Sequence, residues 1–517
     1  MQSGTEQVKC DRFLLASAIL LGFFVKSLPV AAETKAPVRV SIQQFKIVGS
    51  SVFDQWELAN ITQPYEDQPL TLQELHKVAD AITRYYLDHG YLTSRAVLAN
   101  QTIENGIAHI QIVEGSLESV EIQGNQRVRT DYIRDRIQLA GQKPLNQERL
   151  EHQLRLLRND PLFKNIEATL KEGSSLGNSI LTVRVTEASP TIANVSIDNY
   201  GSASIGSTMT TALIGTRNLT GDSDLLFASY SRSTSGGANL WNFSYQRSLN
   251  AQQGTLQFRF APNRYQVTQA GLEDLAIRGR SDLYEVSLRQ PLSRQPQGEF
   301  ALSFGVVHRT GETLIADLLT SENQSTVMRF GQDFLQRDRA GVWMGRSQLN
   351  LGTGASGQLN QNVDRTFATW TGQLQRLQPI SKNHLLSAQL TWQLTPDLLP
   401  PSQQFAFGGA QFLRGYIPNA FSGDNGITFS LSNQMTLVRS TSGDSMLKLT
   451  PFVDVGTVWN HPNNPVQEPN RLYTSTGLGV IWQPNTKWSI GIEAAFALTP
   501  INTSSDAVLY FNSNYRF

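Results

Sequence analysis

The chain has 517 residues, with 43 lysines and arginines against 43 aspartates and glutamates, so its formal net charge is zero. That balance provides no basic field for nucleic acid and no acidic tail. Charged residues reach only 17% where a soluble domain carries roughly 25%, aromatics make up 9%, and a hydrophobic share of 40% is too low for a bundle of transmembrane helices.

Lys9 and Arg12 precede an apolar run from Phe13 to Val25, and Val30-Ala31-Ala32 follows it. A spanning helix needs about 20 apolar residues, so the run is too short to cross a bilayer. Small residues stand where signal peptidase cuts, and residues 1–32 are expected to be a signal peptide, with Glu33 opening the mature chain. The single cysteine, Cys10, lies before the apolar run, whereas a lipid-anchored cysteine would follow it. The mature chain is then exported without a disulfide framework. Removing residues 1–32 takes away three basic and two acidic groups, leaving 40 against 41.

Residues 38–188 repeat one unit: Gly49 and Gly124, Pro69 and Pro144, Leu70 and Leu145, and Leu75 and Leu150 are each 75 positions apart. Each copy opens with a strand running into glycine, Phe45-Lys46-Ile47-Val48-Gly49 and then Val120-Glu121-Ile122-Gln123-Gly124. A short helix, a Pro-Leu turn and an amphipathic helix follow; in the second copy Leu150, Leu154 and Leu157 take helical spacing. Asp88-His89-Gly90-Tyr91 and Asn159-Asp160-Pro161-Leu162 stop these helices. Alternating strands close each copy, so the spacing predicts two β-α-α-β-β modules, 38–115 and 116–188. Tandem modules of this kind serve as a binding array more often than as a catalyst.

From residue 189 the helical signal gives way to stretches of about ten residues that alternate strictly, the length of a tilted membrane-spanning strand. Trp241, Phe243 and Tyr245 alternate with Asn242, Ser244 and Gln246; Leu386, Ala388, Leu390, Trp392 and Leu394 alternate with Ser387, Gln389, Thr391 and Gln393. A soluble β-sandwich alternates too, but over about 5–6 residues per strand. The stretches number about 16, at about 20 residues per strand and connection, as a closed bacterial barrel requires. Residues 189–517 are therefore expected to form a transmembrane antiparallel β-barrel. Connections alternate between short, at 250–253, 379–383 and 483–486, and long, at 263–280, 310–323, 395–426 and 458–470. With the helical modules in the periplasm, the long ones lie outside the cell. Phe511, Tyr515 and Phe517 share one face of the last strand with Leu509 and Ser513. A final aromatic in that phase resembles the recognition signal of outer-membrane barrels, and it also fits a ring at the lipid interface.

The longest connection, 395–426, is too apolar for a tip standing in water: it holds Phe405, Phe407, Phe412, Leu413, Tyr416 and Ile417. Gly408-Gly409 and Gly415 permit tight turns. We expect this loop to fold back into the lumen, where Arg414 would need a partner. In the strand Leu447 to Val458, Leu449, Val453 and Val455 take the lipid phase, so Phe452, Asp454 and Gly456 point inward. Arg414 and Asp454 can form a charge-assisted bridge tethering the loop; the alternative is an ordinary lumen charge hydrated by channel water.

Two such modules ahead of a 16-strand barrel, with Leu413-Arg414-Gly415-Tyr416 and Phe452-Val453-Asp454-Val455-Gly456, resemble a two-partner secretion transporter. These are the exporters of the haemolysin-activator and filamentous-haemagglutinin type, in the POTRA-and-barrel superfamily that includes the barrel assembly insertase. The resemblance implies two POTRA domains and an outer-membrane channel of a Gram-negative-type bacterium. It implies export of one large exoprotein without nucleotide hydrolysis, its N-terminal secretion domain captured by the POTRA pair through β-augmentation or in a groove. Outer-membrane lipid and, during biogenesis, the barrel assembly machinery are the other implied partners. Arg414 and Asp454 match the family's loop-to-wall ion pair, with Gly415, Tyr416, Phe452 and Gly456 around it. Some members place a plug helix before the first POTRA domain. Here about seven residues separate Glu33 from the first strand, so pore closure is expected to rest on the loop.

Other features carry no chemistry. Gly352-Thr353-Gly354-Ala355-Ser356-Gly357 matches G-x-G-x-x-G without a helix behind it and reads as an external loop. The seven histidines are scattered, so no catalytic residue, cofactor site or metal site is expected. Competing readings are a barrel assembly or insertion factor, which usually carries more than two POTRA domains, and a passive porin, which has no use for them.

Overall fold

The computed structural model describes residues 38–358, 361–440, 443, 445–464, 471–500 and 507–517. The expected signal peptide, residues 1–32, lies outside the described residues. The first unit comprises β1 (Arg39–Ile42), β2 (Gln44–Val48), α1 (Gln55–Thr62), β3 (Gln68–Thr71), α2 (Leu72–Asp88), β4 (Arg95–Leu98) and β5 (Ile107–Val113). Both helices start on capping boxes, Asp54 with Glu57 and Thr71 with Glu74, which satisfy otherwise unpaired N-terminal amides. The apolar stripe of α2, including Leu75, Val78, Ile82 and Tyr86, packs on Phe45, Ala108, Ile110 and Ile112 of the sheet. In that sheet β2 runs parallel and β4 antiparallel to the central β5.

The second unit repeats the plan with β6 (Ser116–Gln123), α3 (Thr130–Gln138), α4 (Gln147–Arg158), β7 (Phe163–Glu172) and β8 (Asn178–Glu187). Here β6 is parallel and β7 antiparallel to β8. The repeated glycines do the same work in both units: Gly49 and Gly124 have φ of 93° and 86°. A Cβ on either would lie 2.4 Å from Ile112 O or 2.3 Å from Val185 O, the carbonyl of the adjacent central strand. One detail departs from the repeat. Pro69-Leu70, expected as a turn, lies in β3, which pairs with β1 as a separate small sheet.

The barrel then runs through β9 (Thr191–Asp198), β10 (Met209–Arg217), β11 (Leu225–Ser233), β12 (Ala238–Ser248), β13 (Thr255–Gln266), β14 (Arg278–Gln295), β15 (Gly298–Ile315), β16 (Leu318–Arg337), β17 (Val342–Gln358), β18 (Gln361–Ser381) and β19 (His384–Leu394). Two short strands, β20 (Phe405–Phe407) and β21 (Phe421–Gly423), belong to the long loop. The wall resumes with β22 (Asn425–Arg439), β23 (Met446–Trp459), β24 (Tyr473–Gln483), β25 (Trp488–Ala497) and β26 (Ala507–Arg516). β26 pairs with β9, from Asn512 opposite Asp198 to Arg516 opposite Asn194, and closes a ring of 16 antiparallel strands. The outward rows, such as Trp241, Phe243, Phe258 and Leu288, stay exposed on the outer surface, as lipid contact requires. No described helix is long and apolar enough to cross a membrane; the strands do so.

The wall is taller than ten-residue spans predict. Strands β14 to β18 have 17 to 21 residues. The expected external connection 310–323 is paired strand up to a tight turn, with Ile315 opposite Leu318. The segment 352–357, expected as an external loop, is strand in β17, paired on both sides, so its glycine pattern frames no helix. Polar residues such as Thr313, Ser321 and Glu322 imitate loop composition because these hairpin tips continue beyond the bilayer.

Candidate functional site

Loop 395–426 crosses the lumen. At one side Gln403 Nε2 donates to Ser325 Oγ of β16 at 3.2 Å, and Leu399 packs with Val327 and Phe367. At the other side the loop rests against β23 to β26. Its expected apolar residues are mostly inside: Phe407, Leu413 and Tyr416 are fully buried with Phe421 and Tyr473. Ile417 departs from that expectation and is 48% exposed.

Arg414 is brought onto Asp454. Its Nε donates to Oδ2 at 2.8 Å and its Nη2 to Oδ1 at 2.7 Å, a bidentate fork, while its backbone N–H reaches Oδ2 at 3.1 Å. The Arg414 side chain is 13% exposed and Asp454 is 0% exposed, so water does little of the charge screening. The pairing follows from local structure: Phe452, Asp454 and Gly456 of β23 are buried while Val453 is exposed. The Arg414 guanidinium carbon also sits 3.3 Å from the Phe452 ring centroid, over its electron-rich face. Gly456 leaves room for the Phe407 ring, whose Cε2 would be 3.3 Å from an added Cβ.

Three partners were not legible in the sequence. Glu493 of β25 accepts from Arg414 Nη1 at 3.1 Å. Ser430 of β22 bridges the pair, accepting from Nη2 at 3.1 Å and donating to Asp454 Oδ1 at 2.7 Å. Tyr510 of β26 holds the next residues: its hydroxyl accepts from Gly415 N at 3.3 Å and donates to Tyr416 O at 3.1 Å. Gly415 has φ +88°, and a Cβ there would come within 3.0 Å of Ala497 N, so this close docking requires glycine. Tyr416 Oη lies 2.8 Å from Thr474 O and 3.0 Å from Thr499 O.

A second knot holds the return limb. Asp424, fully buried, accepts at Oδ1 from Leu399 N and Gln404 Nε2, and at Oδ2 from His461 N and Asn464 Nδ2, over 2.8 to 3.2 Å. Amide donors satisfy this carboxylate, so no charge pattern in the sequence announces it. Elsewhere the lumen is lined by paired charges: Arg289 bridges Glu299 and Asp333 at 2.6 and 3.3 Å, and Arg346 also binds Asp333. The expected terminal residues lie apart from the loop. Tyr515 faces outward and meets the Phe517 ring edge-on at 5.0 Å, and Phe511 N donates to Asn199 at the closing seam. No cluster of metal-ligating side chains occurs among the described residues.

A 16-stranded barrel behind two periplasmic POTRA units, with a loop held across its lumen, defines an outer-membrane channel of the POTRA-and-barrel class. Within that class the chain belongs to the haemolysin secretion/activation protein family ShlB/FhaC/HecB, whose model matches residues 177–481. A POTRA domain of ShlB type matches residues 40–115, and a second POTRA-type model, described as a surface antigen variable number repeat, matches 116–188. The outer membrane transporter CdiB of Escherichia coli is 26% identical over 421 residues, covering 77% of this chain and 69% of its own. The solved structure of CdiB from Escherichia coli superposes with a TM-score of 0.68 at 20% identity, covering 95% of this chain and 93% of that one. BamA from Haemophilus ducreyi lacking POTRA domains 1–3 superposes at 0.55 with 16% identity, covering 92% of this chain and all (100%) of that one; both likenesses concern the fold. The family is one of secretion channels, not of enzymes.

Proposed function

We propose that this channel exports one large, partly unfolded exoprotein, captured in the periplasm by its N-terminal secretion domain and passed through the lumen without nucleotide hydrolysis. On this reading residues 1–32 are removed on export, residues 38–115 and 116–188 are the POTRA capture units, and residues 189–517 form the pore. The observation that carries it is loop 395–426, an obstruction held by side chains rather than by wall pairing, hence one that can move. Arg414 and Asp454, with Gly415, Tyr416, Phe452 and Gly456, are the tether; Phe511, Tyr515 and Phe517 are the mark read by the barrel assembly machinery.

The test places the full chain in lipid vesicles with an unfolded exoprotein carrying its secretion domain, and no nucleotide. Protease-protected exoprotein inside the vesicles is the expected result. If the exoprotein stays outside while the chain speeds insertion of an unrelated outer-membrane barrel, the chain is an insertion factor.

A further inference from the structure

A cleft of about 290 Å³ lies between the second POTRA unit and the periplasmic rim of the barrel. Helices α3 and α4 form one wall, with Arg136, Leu139 and Gln153; turn residues Gln252 and Gln253 and the end of β14, Leu292 and Arg294, form the other. The lining includes two arginines and several amides but no carboxylate.

Arg136 is only 5% exposed, yet every group it meets is neutral. Its Nη1 donates to Tyr132 O at 2.9 Å, and its Nη2 to Ser248 Oγ at 3.1 Å and Asn250 O at 3.3 Å. It stacks on Tyr132 at 3.4 Å. No carboxylate of the described residues is within ion-pair distance of it, and its Nε has no partner. Asp160, at the same joint, is engaged by Tyr132 Oη at 2.6 Å, Leu162 N at 3.0 Å and Gln253 Nε2 at 3.2 Å. Burial lowers the pKa of the Arg136 guanidinium, and the more distant charges of Asp160 and Asp135 offset it only in part. The second cation is also under-compensated: Arg294 meets Glu299 at 3.0 Å, but Glu299 is shared with Arg289 at 2.6 Å. A buried guanidinium with a free donor beside a second arginine calls for an anion.

The position of the cleft says which anion. Leu292, 58% exposed, stands at the bulge between Pro291 and Ser293, where the lipid-facing row Tyr284, Val286 and Leu288 of β14 ends. Leu139 is exposed on the opposite wall. The cationic cleft, which Leu292 lines, therefore lies beside the end of that outward row, where the row would meet the periplasmic leaflet. We propose that it binds one anionic phospholipid of that leaflet, its phosphate between Arg136 and Arg294, its acyl chains on Leu292 and Leu288. A lipid there clamps the second POTRA unit to the rim and sets the angle at which the capture units face the pore.

Native mass spectrometry of the full chain in detergent, with equal amounts of phosphatidylglycerol and phosphatidylcholine, tests this. One phosphatidylglycerol should be retained in preference to phosphatidylcholine. Arg294→Gln should lower that retention by about tenfold, the loss expected from one charge-assisted hydrogen bond. Leu139→Glu, which leaves both arginines in place and adds a negative charge to the cleft, should lower it similarly. Equal retention of the two lipids, unchanged retention in both variants, or displacement of phosphatidylglycerol by millimolar inorganic phosphate would each overturn the proposal, the last by marking a simple anion site.

Discussion

At the scale of single residues, the middle of the loop is held by an arginine whose planar fork fits a carboxylate closed off from solvent. Removing one member of a buried pair leaves the other charge uncompensated, at about 3–5 kcal/mol. We expect Arg414→Ala and Asp454→Ala to assemble as heat-resistant barrels but to release the loop, with a large drop in export; normal secretion by both variants would sink the tether. Arg414→Lys keeps the charge and loses the fork, and should recover only part of the export. Tyr510→Phe removes one hydroxyl that serves both Gly415 and Tyr416, at about 1 kcal/mol; a milder export defect is the expected reading. Asp454 was legible because alternation on one strand fixes which way a side chain points. Glu493, Ser430 and Tyr510 were not: alternation says that they face inward, but the register of five strands decides that they do so at one height. Asp424 was invisible for a different reason, since its partners are amides, two of them from the backbone.

At the scale of elements, the last strand has two tasks that can be separated. Its inward side supplies Tyr510 to the loop, and its outward side ends in Tyr515 and Phe517, with Trp488 of β25 nearby and bonded to Ser513 of β26 at 2.9 Å. Deleting Phe517 removes one backbone hydrogen bond to β9, from its N–H to Ala193 O at 3.2 Å, and leaves the paired residues Asn512 to Arg516 of the seam in place. We therefore expect less barrel to reach the membrane while each assembled barrel exports normally, measured as export per heat-resistant molecule. A fall in export per assembled barrel would tie Phe517 to the pore instead. The same strand shows where sequence reading stops. Alternation revealed the strands and their faces, and the repeat revealed both POTRA units. The length of β14 to β18 was hidden, because beyond the bilayer both faces of a hairpin meet water and the apolar row no longer marks the strand.

At the scale of the whole molecule, a neutral and charge-poor composition conceals two different solvents. The barrel presents apolar rows to lipid and pairs charges along its wall, such as Arg289 with Glu299, and the loop packs Phe407, Leu413 and Tyr416 against Val458 and Tyr473 on the inner side of that wall. Such a plug resists ions mainly by occupying space, so conductance reports its position. The intact channel should show small, unstable openings as the loop shifts on its side-chain contacts. Deleting residues 400–420 removes Arg414 and Tyr416 but leaves the wall strands and Asp424 in place, so the barrel still closes. That variant should conduct steadily and with much larger openings in planar-bilayer recordings. Arg414→Ala should fall between the two, because the loop then keeps its apolar packing and its Asp424 knot while losing the fork. A wide, steady pore in the intact protein would mean that the loop does not block the lumen, and the channel would then be a porin with periplasmic appendages.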